Sequence, residues 1–354
     1  MTRNFVYQAA PSRVIFGAGT LAQVGKEIER LGCKRAFLLS TSFQATDLTA
    51  LADQLGPLAA GRFTDATMHT PVAVTQRALA VFDACGADCL VAFGGGSTIG
   101  LGKAIAYRND APQLVVATTY AGSEVTDILG QTENGTKTTV RDPKIRPEVV
   151  IYDPALTTGL PVAMSVASGL NAMAHAVEGL YAPDANPVTS LLAIEGIRAL
   201  KDALPVIVSD PKNIEARSLA LYGSWLCGVV LGSVAMSLHH KLCHTLGGTC
   251  NLPHAETHAI LLPHTAAYNA PAAQQALAPA ATMFGGDLGG GLYDLARDIG
   301  APLALAELGL DREALVRVAN LAVKNPYSNP REVTHDGILG LLTRAYDGTR
   351  PIQI

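Results

Sequence analysis

Residues 89–103 read Cys-Leu-Val-Ala-Phe-Gly-Gly-Gly-Ser-Thr-Ile-Gly-Leu-Gly-Lys. A strand-sized apolar run, Cys89–Phe93, meets three glycines, and a helix-like segment, Ser97–Tyr107, follows. That order is the pattern of a phosphate-binding turn. Glycine lets backbone N–H groups approach a pyrophosphate, and a helix N-terminus adds a favourable dipole. Ser97 and Thr98 are placed to cap the helix or to donate to phosphate. Gly94, Gly95, Gly96, Ser97 and Thr98 are therefore candidate cofactor contacts.

Outward from this turn, further strand-sized runs lie at Val14–Phe16, Ala36–Leu39, Leu114–Ala117 and Val149–Tyr152. Helix-like segments separate several of them: Leu21–Leu31, Thr46–Leu55 and Val72–Cys85. The alternation predicts a parallel α/β sheet with ligands at the carboxyl ends of its strands. After Leu114–Ala117 comes a hydroxyl-rich loop, Thr118-Thr-Tyr-Ala-Gly-Ser-Glu-Val-Thr126. Its Thr118, Thr119 and Ser123 suit a ribose, a nicotinamide amide or a phosphate. A second glycine motif, Gly17-Ala18-Gly19-Thr20-Leu21-Ala22, lacks the acidic residue that a dinucleotide fingerprint wants about 20 residues on; it reads as a plain strand-to-helix turn. Lys103 reads as a solvated or paired lysine. In Thr132–Arg146, Asn134-Gly135 predicts a hairpin turn. Lys137, Lys144 and Arg146 there face either solvent or an anionic ligand.

Beyond Asp153-Pro154 the periodicity is helical, with nine helices expected between Val162 and Tyr346. The division is an α/β domain, 1–158, and an all-helical domain, 159–354. Asn171, His175 and Glu178 stand at i, i+4 and i+7 on one helical face. Ser237–His264 holds six of the nine histidines. His240 and His244 are one turn apart; Gly247-Gly248 are expected to end that helix, and Pro253-His254 to bring a third imidazole back. His239, His258 and His264 read as structural.

The chain has 354 residues, a net charge of −4 and no basic run, which excludes a nucleic-acid partner. No run of 18 apolar residues is uninterrupted, so no membrane span is expected, and the N-terminus shows no signal-peptide core. The six cysteines read as free thiols, which fits a reducing cytoplasm.

With these pieces in order, the chain resembles the iron-containing alcohol dehydrogenase superfamily over essentially its whole length. The markers are Gly94-Gly95-Gly96-Ser97, Thr118–Thr126, Asp153-Pro154, Asn171–Glu178, the pair His240/His244, Pro253-His254 and Ile260-Leu-Leu-Pro-His264. Within it, Thr118–Thr126, Ser168–Gly179 and His239–Gly248 are most similar to a branch that uses NADH or NADPH to reduce a carbon–carbon double bond conjugated to the ketone of a dicarboxylate, in the breakdown of aromatic compounds. The resemblance implies an NAD(P)-binding Rossmann-like domain, an all-α domain and a homodimer.

It also implies roles. The superfamily's metal set of one aspartate and three histidines falls on Asn171, His175, His240 and His254. Asparagine offers only a neutral carbonyl, so a divalent iron or zinc is not favoured, and these residues are expected to meet the substrate directly. His244 matches the histidine near nicotinamide and substrate and is the expected general acid, with His175, His240 and His254 as its catalytic companions. Thr41 stands where NAD-preferring relatives carry an aspartate. Lys241, Arg146, Arg331 and Tyr327 are candidates for the substrate's carboxylates. The competing readings are a metal-dependent alcohol or polyol dehydrogenase and a dehydroquinate-synthase-like lyase.

Overall fold

A computed structural model describes residues 4–9, 12–133, 135–324 and 327–352. The chain forms two compact units, Ala10–Leu160 and Pro161–Ile354 with Met1–Ala9.

The first unit is built on six parallel strands: β1 (Arg13–Phe16), β2 (Ala36–Leu39), β3 (Ala59–Phe63), β4 (Cys89–Gly94), β5 (Gln113–Ala117) and β8 (Val149–Tyr152). They lie in the order β1-β8-β5-β4-β2-β3. Apart from Gln113 at the start of β5, the central strands are apolar because both faces are covered. Helices α1 (Val24–Arg30) and α2 (Ala45–Leu55) bury Ile28, Leu48 and Leu51 against Leu38, Val91 and Val116. Helices α3 (Val72–Ala84) and α4 (Gly96–Asn109) bury Phe82, Leu101 and Ile105 against Phe37, Leu39 and Leu90 on the other face. The chain leaves β2 toward one face and β4 toward the other, so the two adjacent strands flank a switch point, where such sheets bind ligands. An antiparallel pair, β6 (Ile128–Glu133) and β7 (Thr136–Arg141), stands apart from the sheet. Asn134, expected at its turn, lies outside the described residues.

The second unit is helical: α5 (Val162–Leu180), α6 (Pro187–Ser209), α7 (Ile214–Ser233), α8 (Leu238–Cys250), α9 (His254–Asn269), α10 (Gln274–Met283), α11 (Leu288–Asp298), α12 (Ala314–Ala322) and α13 (His335–Tyr346). α8 does not end at Gly247-Gly248. It runs through both and stops at Asn251, whose φ of 53° breaks the helix. α7 has the length and composition to cross a membrane. Here it packs against α5 and α6 and buries Arg217, which donates to Ser165 Oγ (2.6 Å) and Pro211 O (2.9 Å). α6 and α7 approach closely: a Cβ on Gly196 would lie 2.7 Å from Cys227 Sγ.

Candidate active site

At the switch point, β4 delivers Gly94 with φ of 156°, and α4 begins at Gly96. A Cβ on Gly94 would meet Thr98 Oγ1 at 2.5 Å, and one on Gly95 would meet Thr119 Cγ2 at 2.6 Å. Both glycines are required by the close approach of the protein to itself. Gly96 has nothing within 4 Å of its Cβ position, so the open approach to the N-terminus of α4 is there. Thr98 Oγ1 is buried without a partner. Thr41 ends the β2 side: its carbonyl accepts from Gln44 N (3.1 Å), and Gln44 Nε2 donates to Thr118 Oγ1 (3.0 Å). Gln44, absent from the sequence reading, thus ties the end of β2 to the end of β5. Seven predicted cofactor residues gather at neighbouring strand ends: Thr41, Gly94, Gly95, Gly96, Thr98, Thr118 and Thr119. Ser97 occupies the first turn of α4 with them.

Ser123 is held from below. Lys103 is not solvated; it is 1 % exposed, and its Nζ donates to Ser123 O (2.6 Å), Thr126 Oγ1 (2.8 Å) and Ile128 O (3.0 Å). Burial pulls its pKa down to about 7 against the charges of Glu124 and Asp127. Lys103 braces the Thr118–Thr126 loop. The other glycine motif is a structural turn: Thr20 Oγ1 donates to Gly17 O (2.7 Å), and Leu21 N donates to Asp153 Oδ2 (3.0 Å).

In the helical unit, α5, α8 and α9 bring five buried or half-buried imidazoles together. Two hydrogen-bonded lines run through them. In the first, His240 Nδ1 donates to Glu178 Oε2, and His240 Nε2 lies 2.9 Å from His175 Nδ1. Glu178 also accepts from His239 N (2.8 Å). Burial alone would raise this carboxyl, but the charge and hydrogen bond of His240, with His239 behind it, hold it below its ordinary range. In the second line, His239 Nδ1 donates to Thr265 Oγ1 (2.9 Å), and His239 Nε2 accepts from His258 Nδ1 (2.9 Å). Among the described residues, no carboxylate bonds to either of these imidazoles. Burial pushes His239 down to about 3 and His258 well below its ordinary value. His258 Nε2 is left buried without a partner.

His254 lies close to His258 with the rings tilted, centroids 4.3 Å apart, and His244 is exposed, 6.0 Å from the His240 ring and stacked on the His254 ring at 6.4 Å. Asn171 is 3 % exposed, and its Oδ1 has no partner. Lys241 sits over the Tyr327 ring at 5.7 Å, and burial raises the Tyr327 hydroxyl, which is unpartnered. His239 and His258 therefore belong to the cluster rather than to a separate structural core. His264 neither caps nor ends a helix; it is buried in the body of α9. Arg331 lies elsewhere in the helical unit, and Arg146 belongs to the other unit. Arg331 stacks on Tyr268 and donates to its carbonyl (3.1 Å), about 15 Å along α9 from His258. Arg146, in the other unit, pairs with Asp127 at 2.9 Å.

Two family models match the chain: iron-containing alcohol dehydrogenase over residues 11–154, and the C-terminal part of the Fe-containing alcohol dehydrogenase family over 165–346. A maleylacetate reductase from Rhizobium sp. (strain MTP-10005) is 61 % identical over 347 residues, covering 98 % of this chain and 99 % of that protein. One from Sphingobium indicum is 55 % identical over 350 residues, covering 99 % of each. The chain belongs to the iron-containing alcohol dehydrogenase family. A crystal structure of maleylacetate reductase from Agrobacterium tumefaciens, 60 % identical, superposes with a TM-score of 0.96 and covers 99 % of this chain and 100 % of that one. The iron-containing alcohol dehydrogenase fold and its use of NAD(P)H follow.

The metal of the family is a poorer fit. The aspartate position holds neutral Asn171. His175 Nδ1 and His240 Nε2 are hydrogen-bonded at 2.9 Å, closer than the roughly 3.3 Å that two imidazole nitrogens need around a tetrahedral ion. Among the described residues, the group of three possible ligands that includes histidine and converges within 4.8 Å is His239, Cys243 and His258, around the second line.

Proposed function

We propose that the chain is a maleylacetate reductase, transferring hydride from NADH or NADPH to the conjugated double bond of maleylacetate to give 3-oxoadipate. The observation that carries this reading is the Glu178–His240–His175 line beside Asn171, in a chain 61 % identical along its length to a protein of that name. Hydride adds to the alkene carbon distal to the ketone. The electron pair moves to the ketone oxygen, and the resulting enolate takes a proton on carbon.

The proton source follows from hydrogen-bond direction. With Glu178 ionised, His240 keeps its proton on Nδ1. When the line is neutral, His240 Nε2 accepts from His175 Nδ1–H, and His175 Nε2 offers a lone pair. When the line carries one more proton, His240 Nε2–H donates to His175, and His175 Nε2–H becomes a donor. The line therefore delivers a proton through His175 with little movement of heavy atoms. His244, the expected general acid, is exposed and is not a member of this bonded line, so on this reading His175 takes that role while His244 and His254 contribute hydrogen bonds to the substrate. Asn171, Lys241 and Tyr327 suit its oxygens: an amide, an ammonium and a phenol hydroxyl. The reaction needs no metal on this reading, because Asn171 brings no charge and the His175–His240 pair is already bonded. Thr41 repels no 2′-phosphate, so NADH and NADPH serve with comparable kcat/KM; a preference of about 1,000-fold, ~4 kcal/mol, would count against it. We place the protein in the cytoplasm, on its six free thiols. A homodimer, with no nucleic-acid or membrane partner, completes the proposal; light scattering reads the mass.

The test is maleylacetate reduction by enzyme dialysed against chelator, with metal content measured on the same sample. Retained activity at substoichiometric metal is expected. Activity restored only by zinc, manganese or iron would overturn the metal-free part. No maleylacetate reduction in either state would overturn the whole reading and favour an alcohol dehydrogenase.

A further inference from the structure

The strand that ends in the cofactor turn begins with a thiol. Cys89 opens β4, and Gly94 closes it about 17 Å away. Cys33, from the turn between α1 and β2, reaches the same place. The two sulfurs and a carboxylate oxygen of Asp88 all lie within 4.8 Å of one another. Both cysteines are buried free thiols, 7 % and 1 % exposed, and Asp88 stands at the surface beside them. The backbone pins all three. Cys33 N donates to Ile28 O (3.1 Å), Asp88 N donates to Arg35 O (2.8 Å), and Ala36 is in register with Cys89. The Asp88 carboxylate accepts from Lys34 N (2.8 Å) and Arg35 N (2.9 Å), one bond on each oxygen. The guanidinium of Arg35 is turned away, donating to Gly86 O (2.8 Å) and Cys85 O. Among the described residues, no lysine or arginine side chain pairs with Asp88.

Two soft donors and one hard one therefore converge where the nearby charge is negative. A carboxylate has about four lone-pair sites, so the two backbone bonds leave Asp88 able to take a cation as well. Two sulfurs around a tetrahedral zinc ion stand roughly 3.8 Å apart, so the present spacing needs to close by no more than about 1 Å. Burial, and then the charge of Asp88, raise the Cys33 thiol; burial, and then Cys33 and Asp88, raise Cys89. Neither is a ready thiolate, which disfavours a disulfide between them. A bound cation supplies the missing charge and displaces the protons itself. We propose that Cys33, Cys89 and Asp88 form a binding site for a thiophilic divalent cation of the zinc and cadmium class. Binding forms two metal–sulfur bonds and one metal–oxygen bond, breaks two S–H bonds and releases two protons. Magnesium and calcium, which prefer oxygen ligands, do not compete. The site belongs to the α/β unit, apart from the histidine cluster, and stands at the opposite end of β4 from the cofactor turn.

The probe is cadmium, titrated into the full chain after dialysis against chelator and with a phosphine reductant present. Sulfur-to-cadmium charge-transfer absorbance in the ultraviolet reports thiolate ligands and not histidine. The band is expected to saturate at one cadmium per chain with two protons released at pH 7, and zinc is expected to displace it. Cys33→Ser and Cys89→Ser are each expected to weaken binding by about 100-fold, and Asp88→Asn by about tenfold. Cys243→Ser, which alters the thiol beside His239, is expected to keep the band. The proposal falls if no saturable band forms, if a single proton is released, or if Cys33→Ser binds cadmium as the parent does. It also falls if Cys243→Ser abolishes the band, since the cation would then sit in the helical unit. Should Cys89→Ser not fold, Cys33→Ser in the turn and the proton count of the parent decide.

Discussion

The two imidazole lines of the helical unit start from neighbouring residues of α8, His239 and His240, and diverge in one respect. His240 leans on a carboxylate, Glu178, and His239 on a hydroxyl, Thr265. Both are buried. A carboxylate offsets the charge of one imidazolium; a hydroxyl offsets none, and burial then keeps the imidazole neutral. The first line is equipped to carry a proton. The second is a scaffold that turns His258 toward His254. Burial depth does not separate the two; the group at the far end does.

Replacing that group should have the largest effect. Glu178→Gln keeps the shape but removes the charge, and kcat for maleylacetate is expected to fall about 100- to 1,000-fold with KM little changed. A variant that retains a tenth of the parent rate would show that the first line is not the proton source. Next in size is pH. His239, His258 and His264 have lowered folded pKa values, so the unfolded chain binds protons on them below about pH 6.5 while the folded chain does not. Stability therefore falls as pH drops through that value, by about 2 kcal/mol for each at pH 5. The depressed Glu178 acts in the same direction at lower pH: its stabilisation is present above the unfolded value near about 4.3 and is lost as pH falls through its folded value. Urea midpoints at pH 8, 6.5 and 5 measure this, and a flat profile would contradict neutral buried imidazoles.

Asn171→Asp supplies the missing charge beside His175. It is expected to bind zinc in equilibrium dialysis and, metal-free, to lose about tenfold in kcat, since a second anion competes with Glu178 for the proton. Parent-like zinc binding would mean that the amide was not what weakened the site. The smallest effect belongs to the second line. Thr265→Val removes the acceptor of His239 Nδ1 and should cost about 1 kcal/mol of stability in urea unfolding, with activity within about twofold. A large kcat loss there would erase the distinction between the lines.

The sequence makes the sheet readable wherever a strand is apolar on both faces. It hides β3, whose Ala-Ala-Gly-Arg-Phe is only half-buried at the sheet edge. The cofactor turn is legible because glycines between a strand and a helix have few other uses. Lys103 is not, since only the fold shows that its ammonium ends among three acceptors. Gly247-Gly248 suggest a helix end, but flanking contacts carry α8 through them. The rule that pairs His240 with His244 also reaches His258, because it stands four residues after His254; the apolar Ile260–Pro263 beside it makes a core histidine the competing reading. Arg146 and Arg331 are basic residues whose partners lie 19 and 63 positions away in the chain, beyond any local pattern.

The close contact of α6 with α7 makes Cys227 a clock. Its thiol is fully buried, with Gly196 packed against it and burial raising its pKa, so it is neither reachable nor nucleophilic in the folded unit. An alkylating reagent gains access only after the two helices part. In a variant with the other five cysteines replaced, the rate of Cys227 labelling would time the opening of the helical unit under native conditions, without denaturant and without an activity assay.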